Sequence, residues 1–101
     1  RTRDRYSFLM KRHVKMFMDF WDISTADVTP CFACDGEYGV VCDVHHLENR
    51  GSGGDPKGKK DTASNLIGLC RRCHTLAEHK QHYNDFCKEK LNERILRKTY
   101  G

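Results

Sequence analysis

The hydrophobic positions at the start of the chain follow a helical spacing. Within residues 5–22, apolar side chains recur at steps of three or four: Tyr6, Met10, Val14, Phe17 and Trp21. Residues at these steps share one face of a helix, so the pattern predicts an amphipathic N-terminal helix. A connector over residues 24–30 follows, and Pro30 excludes helix immediately before the next segment.

The second half of the chain changes from strand spacing back to helical spacing. Val40–Leu47 is rich in β-branched residues and predicts a strand, and Asn65–Leu69 can return antiparallel to it. The glycine- and lysine-rich stretch between them, residues 51–60, predicts a loop. From about Arg71 onward we expect a helix. Its buried stripe is predicted from apolar residues at i, i+4 steps: Tyr83, Cys87, Leu91 and Ile95.

Together with these elements, length and composition indicate one small α+β domain that needs a disulfide, a bound metal or a partner for stability. The 101 residues are 38% hydrophobic and 32% charged, so core burial alone gives a thin margin of stability. The net charge of +4 favours polyanionic partners. The chain has no run of about 18 apolar residues, which argues against a membrane span, and no secretory signal pattern is visible.

Four of the six cysteines fall into two Cys-x-x-Cys pairs, Cys31/Cys34 and Cys70/Cys73. This is the spacing of zinc ligands, and four thiolates close a tetrahedral site with no open position. We therefore predict a structural Zn²⁺ and a reducing, intracellular (cytoplasmic) setting. Disulfides of a secreted chain or redox-active thiols are the alternative interpretations.

The segment between and after these pairs carries further motifs in a specific order: Val44-His45-His46-Leu47, Gly53-Gly54, Ser64-Asn65-Leu66-Ile67 and Leu69-Cys70-Arg71-Arg72-Cys73-His74. In this combination the chain resembles the HNH endonuclease family, a branch of the ββα-metal nucleases. The resemblance covers about half of the chain, residues 31–80. It implies a zinc-clamped ββα-metal core over 31–80. The helical patterns outside it predict an N-terminal helical arm over 1–30 and a C-terminal helix extension over 81–101.

The resemblance also implies roles for four polar residues. His45 and His74 resemble the ligands of a catalytic divalent ion, and His46 resembles the general base that deprotonates water. Asn65 resembles the asparagine that ties the hairpin together and so aims His46. Alternation along a strand supports the division between the two adjacent histidines, because neighbouring side chains point to opposite sides.

The chain departs from the family pattern one helical turn after His74, where many members have another ligand. Glu78 stands there, at i+4 and hence on the same helix face, while His79 points away. Glu78 as a ligand would favour Mg²⁺ or Mn²⁺, whereas imidazoles tolerate Zn²⁺ or Ni²⁺. A solvent-facing role for Glu78, and a surface or phosphate-contacting role for His79, stay open.

The function implied is an HNH-type DNA endonuclease that hydrolyses phosphodiester bonds, within a bacterial or phage-infected cell. Candidate contacts to the DNA backbone are basic residues near the motifs: Arg71, Arg72, Lys57, Lys59 and Lys60. Each can equally be a solubilising charge. The alternative functions are a non-catalytic zinc module that binds nucleic acid or a protein partner, and a thiol oxidoreductase. Oligomeric state and the choice between nicking and double-strand cleavage are left open.

The remaining polar and sulfur-containing residues receive mainly structural interpretations. Asp43 either orients His45 or is an exposed strand residue. Asp61 is expected to brace the chain as it returns to Asn65 rather than to bind metal. The other predicted structural or surface residues are two histidines and two small buried thiols: His13, His82, Cys42 and Cys87.

Overall fold

A computed structural model describes residues 11–48 and 60–100 of the chain. Two antiparallel strands and three helices build a small α+β domain, which confirms the predicted fold class. A 3₁₀ turn, Ala63–Asn65, precedes the second strand. In chain order the elements are α1 (Arg12–Trp21), β1 (Asp43–His46), β2 (Leu66–Leu69), α2 (Arg71–His79) and α3 (Gln81–Tyr100).

The hairpin places the two adjacent histidines at the end of β1 that faces the start of β2. His45 pairs with Ile67 and His46 with Leu66, and every residue of β2 is buried. β1 is shorter than the predicted strand, Val40–Leu47. The difference arises because the amide of Val41 donates to the carbonyl of Thr29 (2.7 Å), so this part of the chain pairs with the connector instead of with β2.

Helix α1 covers the hairpin with the apolar face that its spacing predicts. Phe17 is 2% exposed and lies against the ring of Phe32, with 5.3 Å between centroids. Trp21 packs edge-on against the same ring. The predicted start of this helix, with Tyr6 and Met10, lies outside the described residues.

The C-terminal region consists of two helices separated at Lys80. The backbone of Lys80 is extended (φ −132°, ψ 114°), and its carbonyl accepts from the amides of Tyr83 and Asn84 to begin α3. The break has no proline or glycine to mark it in the sequence. In α3 the predicted stripe is confirmed, since Cys87 and Leu91 are fully buried and the two flanking members pack against the core.

Helix α3 is joined to the turn after the first cysteine pair. Asp35, in the left-handed region with φ 55°, accepts from Lys90 (3.0 Å) and Arg94 (2.9 Å). The guanidinium of Arg94 also lies over the ring of Phe32, 4.2 Å from its centroid. The long helix is therefore joined to the cysteine turn by two ion pairs and a cation–π contact. No helix in the described part of the chain is both long and apolar enough to cross a membrane.

Gly68 allows α1 to approach β2, which gives a test of the core. A Cβ at this position would lie 2.6 Å from Phe17 Cζ and 2.9 Å from Val41 Cγ1. We expect Gly68→Ala to lower the free energy of unfolding by about 1–3 kcal/mol, the usual cost of overpacking. Urea denaturation at a fixed zinc concentration measures the loss.

The matched control is the same substitution in a Phe17→Leu background, where the shorter side chain relieves the overlap. The cost of Gly68→Ala should be clearly smaller there. An equal cost in both backgrounds would contradict the proposed contact with Phe17.

Candidate functional site

The four paired cysteines converge on one point at the base of the hairpin. The ligand atoms of Cys31, Cys34, Cys70 and Cys73 all lie within 4.8 Å of one another. The separation of 4.0 Å between the sulfurs of Cys34 and Cys70 compares with roughly 3.8 Å for thiolates bound tetrahedrally at about 2.3 Å from zinc. The cluster is thus compatible with the structural zinc site that the spacing predicts.

Backbone geometry supplies donors to these sulfurs. The amide of Ala33 donates to Cys31 Sγ (3.4 Å) and the amide of Tyr38 to Cys34 Sγ (3.4 Å). At the start of α2, Cys70 Sγ accepts from the amide of Cys73 (3.5 Å). Such bonds favour the charged thiolate over the thiol, and thiolate is the form that binds metal.

The thiols differ in how easily they ionise. Burial raises the pKa of Cys73 despite the hydroxyl of Tyr83, 3.1 Å from Cys73 Sγ. Burial likewise raises the pKa of Cys31. Burial also opposes ionisation of Cys34, but the Tyr38 amide and the Cys31 thiol outweigh it and lower the pKa of Cys34 to about 7. Buried, mutually crowded thiols of this kind suit a divalent cation, which replaces their protons.

The two other cysteines lie outside the cluster. Cys87 is fully buried, as predicted for a small hydrophobe. The same prediction for Cys42 is wrong, because Cys42 is exposed. It stands just before β1 at an exposed position, and its sulfur faces the carboxylate of Asp43 (3.6 Å).

The three predicted site histidines line one cavity of about 540 Å³. His45 and His74 meet edge to face with ring centroids 5.1 Å apart. His46, on the opposite side of the strand from His45, faces α1, where the ring of His13 lies 4.7 Å away. The predicted surface or structural residue His13 is 9% exposed and lines the same cavity.

His45 is oriented by an amide from α3. Its Nε2 lies 2.7 Å from Asn84 Oδ1. The Asn84 amide group donates through Nδ2 to the carbonyl of Leu47 (3.0 Å), which fixes Oδ1 toward the histidine. His45 must then carry its proton on Nε2 and its lone pair on Nδ1. Burial lowers the pKa of His45, so the ring favours the neutral form that can bind a metal.

His74 is oriented by a carboxylate from β1. Its Nδ1 donates to Asp43 Oδ2 (3.1 Å), so the lone pair lies on Nε2. The interpretation that Asp43 orients His45 is therefore wrong. Asp43 pairs with Leu69 at the end of β2. Because α2 begins two residues after Leu69, its first turn brings His74 within hydrogen-bonding distance of Asp43.

Glu78 faces the lone pair of His74. Glu78 Oε2 lies 3.5 Å from His74 Nε2, so one cation can be bound by both atoms. Two imidazoles that share an ion at about 2.1 Å have centroids roughly 5 Å apart, as His45 and His74 have here. These three side chains are therefore of the types that hold a divalent ion. Their ligand atoms are spaced more widely than the four sulfurs. Among the described residues, only the sulfur cluster brings three or more ligand atoms within 4.8 Å of one another.

His46 contacts a buried carboxylate. Its Nε2 lies 2.7 Å from Asp61 Oδ1, and Asp61 Oδ2 accepts from Arg12 Nε (3.0 Å). Asp61 thus braces His46 and α1 rather than the return to Asn65, and that prediction is wrong. Asp61 and His46 lie 15 positions apart in the chain, so only the folded structure shows their proximity.

Asn65 joins the two chain segments that flank residues 49–59. Its Oδ1 accepts from the amide of Glu48 (2.7 Å), and its Nδ2 donates to the carbonyls of Glu48 (3.1 Å) and Lys60 (2.9 Å). The side chain uses both its donor and its acceptor capacity on backbone groups. It thereby restrains the end of β1 directly after the two histidines.

The predicted DNA-contacting residues differ in their surroundings. The side chain of Arg71 is 76% exposed and lies 3.4 Å from Asp43, and the guanidinium of Arg72 stacks on Tyr38, 3.8 Å from the ring centroid. Lys60 pairs with Glu48 (3.0 Å). Lys57 and Lys59 lie outside the described residues. His79 and His82 are exposed.

Comparison with known proteins finds one family that matches half of the chain. The sequence model of the HNH endonuclease family matches residues 31–81, from the first cysteine pair to the start of α3. No curated protein and no solved structure matches the chain at a significant level. Arg12, His13 and Asn84, which all contact the site histidines or their partners, lie outside the matched segment.

We expect the protein to hold one zinc ion tightly. Its binding should depend on the four clustered thiols and not on Cys42 or Cys87. Cys70→Ala should lose this zinc, together with most of the ordered structure, because the site contributes directly to folding. Metal analysis after dialysis and circular dichroism measure the two losses. Cys42→Ala, an exposed cysteine outside the cluster, is the control. Zinc loss in that variant, or full zinc in Cys70→Ala, would contradict the assignment.

Proposed function

Because the chain belongs to the HNH endonuclease family, we propose that it hydrolyses phosphodiester bonds in DNA with one divalent metal ion and His46 as general base. One observation carries this proposal. Three imidazoles line a single cavity, and each has one ring nitrogen held by an oxygen acceptor of a different residue. Their remaining nitrogens are left with lone pairs, as a ligand pair and a base require.

The residues that would hold the ion are His45 through Nδ1, His74 through Nε2, and Glu78. When bound, a divalent ion supplies Lewis-acid stabilisation of the charge that develops on the phosphate and the leaving oxygen. Asn84 and Asp43 keep the two imidazoles in the required tautomers, the usual task of groups that support metal ligands. The carboxylate of Glu78 favours Mg²⁺ or Mn²⁺ over softer ions.

His46 would accept the proton of the attacking water at Nδ1. A histidine is suited to this task at neutral pH, since its ordinary pKa is about 6.5. The side chain is only 10% exposed, and its ring lies between His13 and the buried carboxylate of Asp61. A ring restrained in this way presents its lone pair to the cavity in a fixed direction, which is what general-base catalysis needs.

Arg71 and Arg72 would contact the substrate backbone beside the cavity. Both extend from the first turn of α2, the turn that also carries His74, and both are exposed. Charged side chains of this kind position the duplex through its phosphates without reading sequence. The exposure of Arg71 leaves its guanidinium accessible to a phosphate while it remains near Asp43.

His46→Ala tests the proposed base. We expect cleavage of supercoiled plasmid to fall by about 10² to 10⁴, the usual contribution of a general base, with DNA binding and zinc content unchanged. Nicking with added Mg²⁺, Mn²⁺ or Ni²⁺ is compared with nicking in EDTA. His82→Ala, an exposed histidine on α3, is the matched control.

Normal cleavage by His46→Ala would refute the mechanism. If the wild-type protein binds DNA but cuts it with none of these ions, the chain is a non-catalytic zinc module instead.

Asn84→Leu tests the support of His45. Without the acceptor on Nε2, the ring can take either tautomer, and the metal concentration for half-maximal cleavage should rise about 10- to 100-fold. Titration of each candidate ion measures this shift. Asn92→Leu, at an exposed position of the same helix, should leave the titration unchanged. Equal curves for the two variants would show that Asn84 does not support a metal ligand.

A further inference from the structure

A buried carboxylate links helix α1 to the proposed base. Only 3% of the Asp61 side chain is exposed, and both of its oxygens are occupied, Oδ1 by His46 Nε2 (2.7 Å) and Oδ2 by Arg12 Nε (3.0 Å). We propose that Asp61 is a positioning residue for His46, and that Arg12 determines which oxygen Asp61 presents to it. This inference rests on the proposed function, in which His46 accepts the proton of water.

The contact with Asp61 selects one tautomer of His46. An ionised carboxylate can only accept a hydrogen bond, so the imidazole proton must lie on Nε2 and the lone pair on Nδ1. Asp61 stays ionised at neutral pH, because the hydrogen bonds from His46 and Arg12 outweigh the effect of burial and lower its pKa. The ring of His13, 4.7 Å away, limits rotation of His46 out of this arrangement.

In this proposal Arg12 fixes which oxygen of the Asp61 carboxylate faces His46. A guanidinium has donors and no acceptor and stays charged at all relevant pH values. An Asp or Asn side chain at position 61 is therefore favoured to turn an oxygen toward Arg12. The two residues are 49 positions apart in the chain, and Arg12 precedes the segment that the family model matches. Helix α1 thus contributes a specific chemical constraint to the site as well as apolar cover.

Asp61→Asn exploits this constraint. The amide oxygen should turn to Arg12 and the NH₂ group to His46, which must then accept at Nε2 and carry its proton on Nδ1. We expect kcat to fall by at least about 100-fold, as when the carboxylate behind a catalytic histidine becomes an amide. KM and zinc content should stay near the wild-type values. Asp85→Asn, at an exposed position of α3, is the matched control.

The tautomer itself can be measured without activity. Long-range ¹H–¹⁵N NMR of the zinc-loaded protein, at a pH about two units above the ordinary histidine value, distinguishes a proton on Nε2 from one on Nδ1. We expect Nε2–H for His46 in the wild-type protein and Nδ1–H in Asp61→Asn. An Nδ1–H form in the wild type would overturn the inference even if Asp61→Asn fails to fold.

The double variant Arg12→Met with Asp61→Asn separates positioning from bracing. Without the guanidinium, the amide is free to turn its oxygen to His46, so the double variant should regain Nε2–H and at least tenfold of the lost kcat. If Asp61 merely braces the fold, removing a second partner should lower activity further. That result, or full kcat in Asp61→Asn, would overturn the inference.

The outcomes also separate this inference from the proposed function. Normal cleavage by His46→Ala would remove the base role, and with it the inference that Asp61 positions a base, whatever the tautomer. An inactive His46→Ala beside a fully active Asp61→Asn would leave the proposed function in place and remove only the role of Asp61.

Discussion

The convergence of four thiols on one point is the interaction on which the other features depend. It joins the turn that contains Cys31 and Cys34 to the residue at which α2 begins. A domain of this size has a small core, and a metal site of this kind adds folding free energy that apolar burial does not supply. Because His74 directly follows Cys73, the same junction sets where one proposed metal ligand stands relative to the strand that carries the other.

The parts of the site that sequence predicts are those fixed by local geometry. Cysteine spacing identifies the cluster, and strand alternation separates His45 from His46. The i, i+4 relation places Glu78 on the face of His74. Each of these relations holds within one turn, one strand or one helix, where the backbone period determines what faces what. The same holds for the buried stripe of α3, which the structure confirms.

The parts that sequence does not predict are the acceptors that orient the imidazoles. Asn84 reaches His45 because the chain breaks at Lys80, and neither proline nor glycine marks that break. Asp61 contacts His46 although the two lie 15 positions apart in the chain, and Asp43 contacts His74 of α2 instead of His45 of β1. These pairings depend on how elements pack together, so periodicity carries no information about them. The apolar spacing of α1 likewise predicts its cover of the hairpin but not the contact that Arg12 makes.

The acceptors that orient the histidines come from several parts of the chain, so the site depends on the flanking helices as well as on the matched segment. The family match spans both strands and α2, and it contains every proposed ligand and the proposed base. The group that orients His45, however, lies in α3, and the group that directs Asp61 lies in α1. Polar groups in a partly buried cavity are ordered only when each has its partner, and an incompletely satisfied network loses that order. The flanking helices therefore contribute the acceptor of His45 and, in our proposal, the orientation of Asp61, while the matched segment supplies the acceptors of His46 and His74 and the atoms that would react.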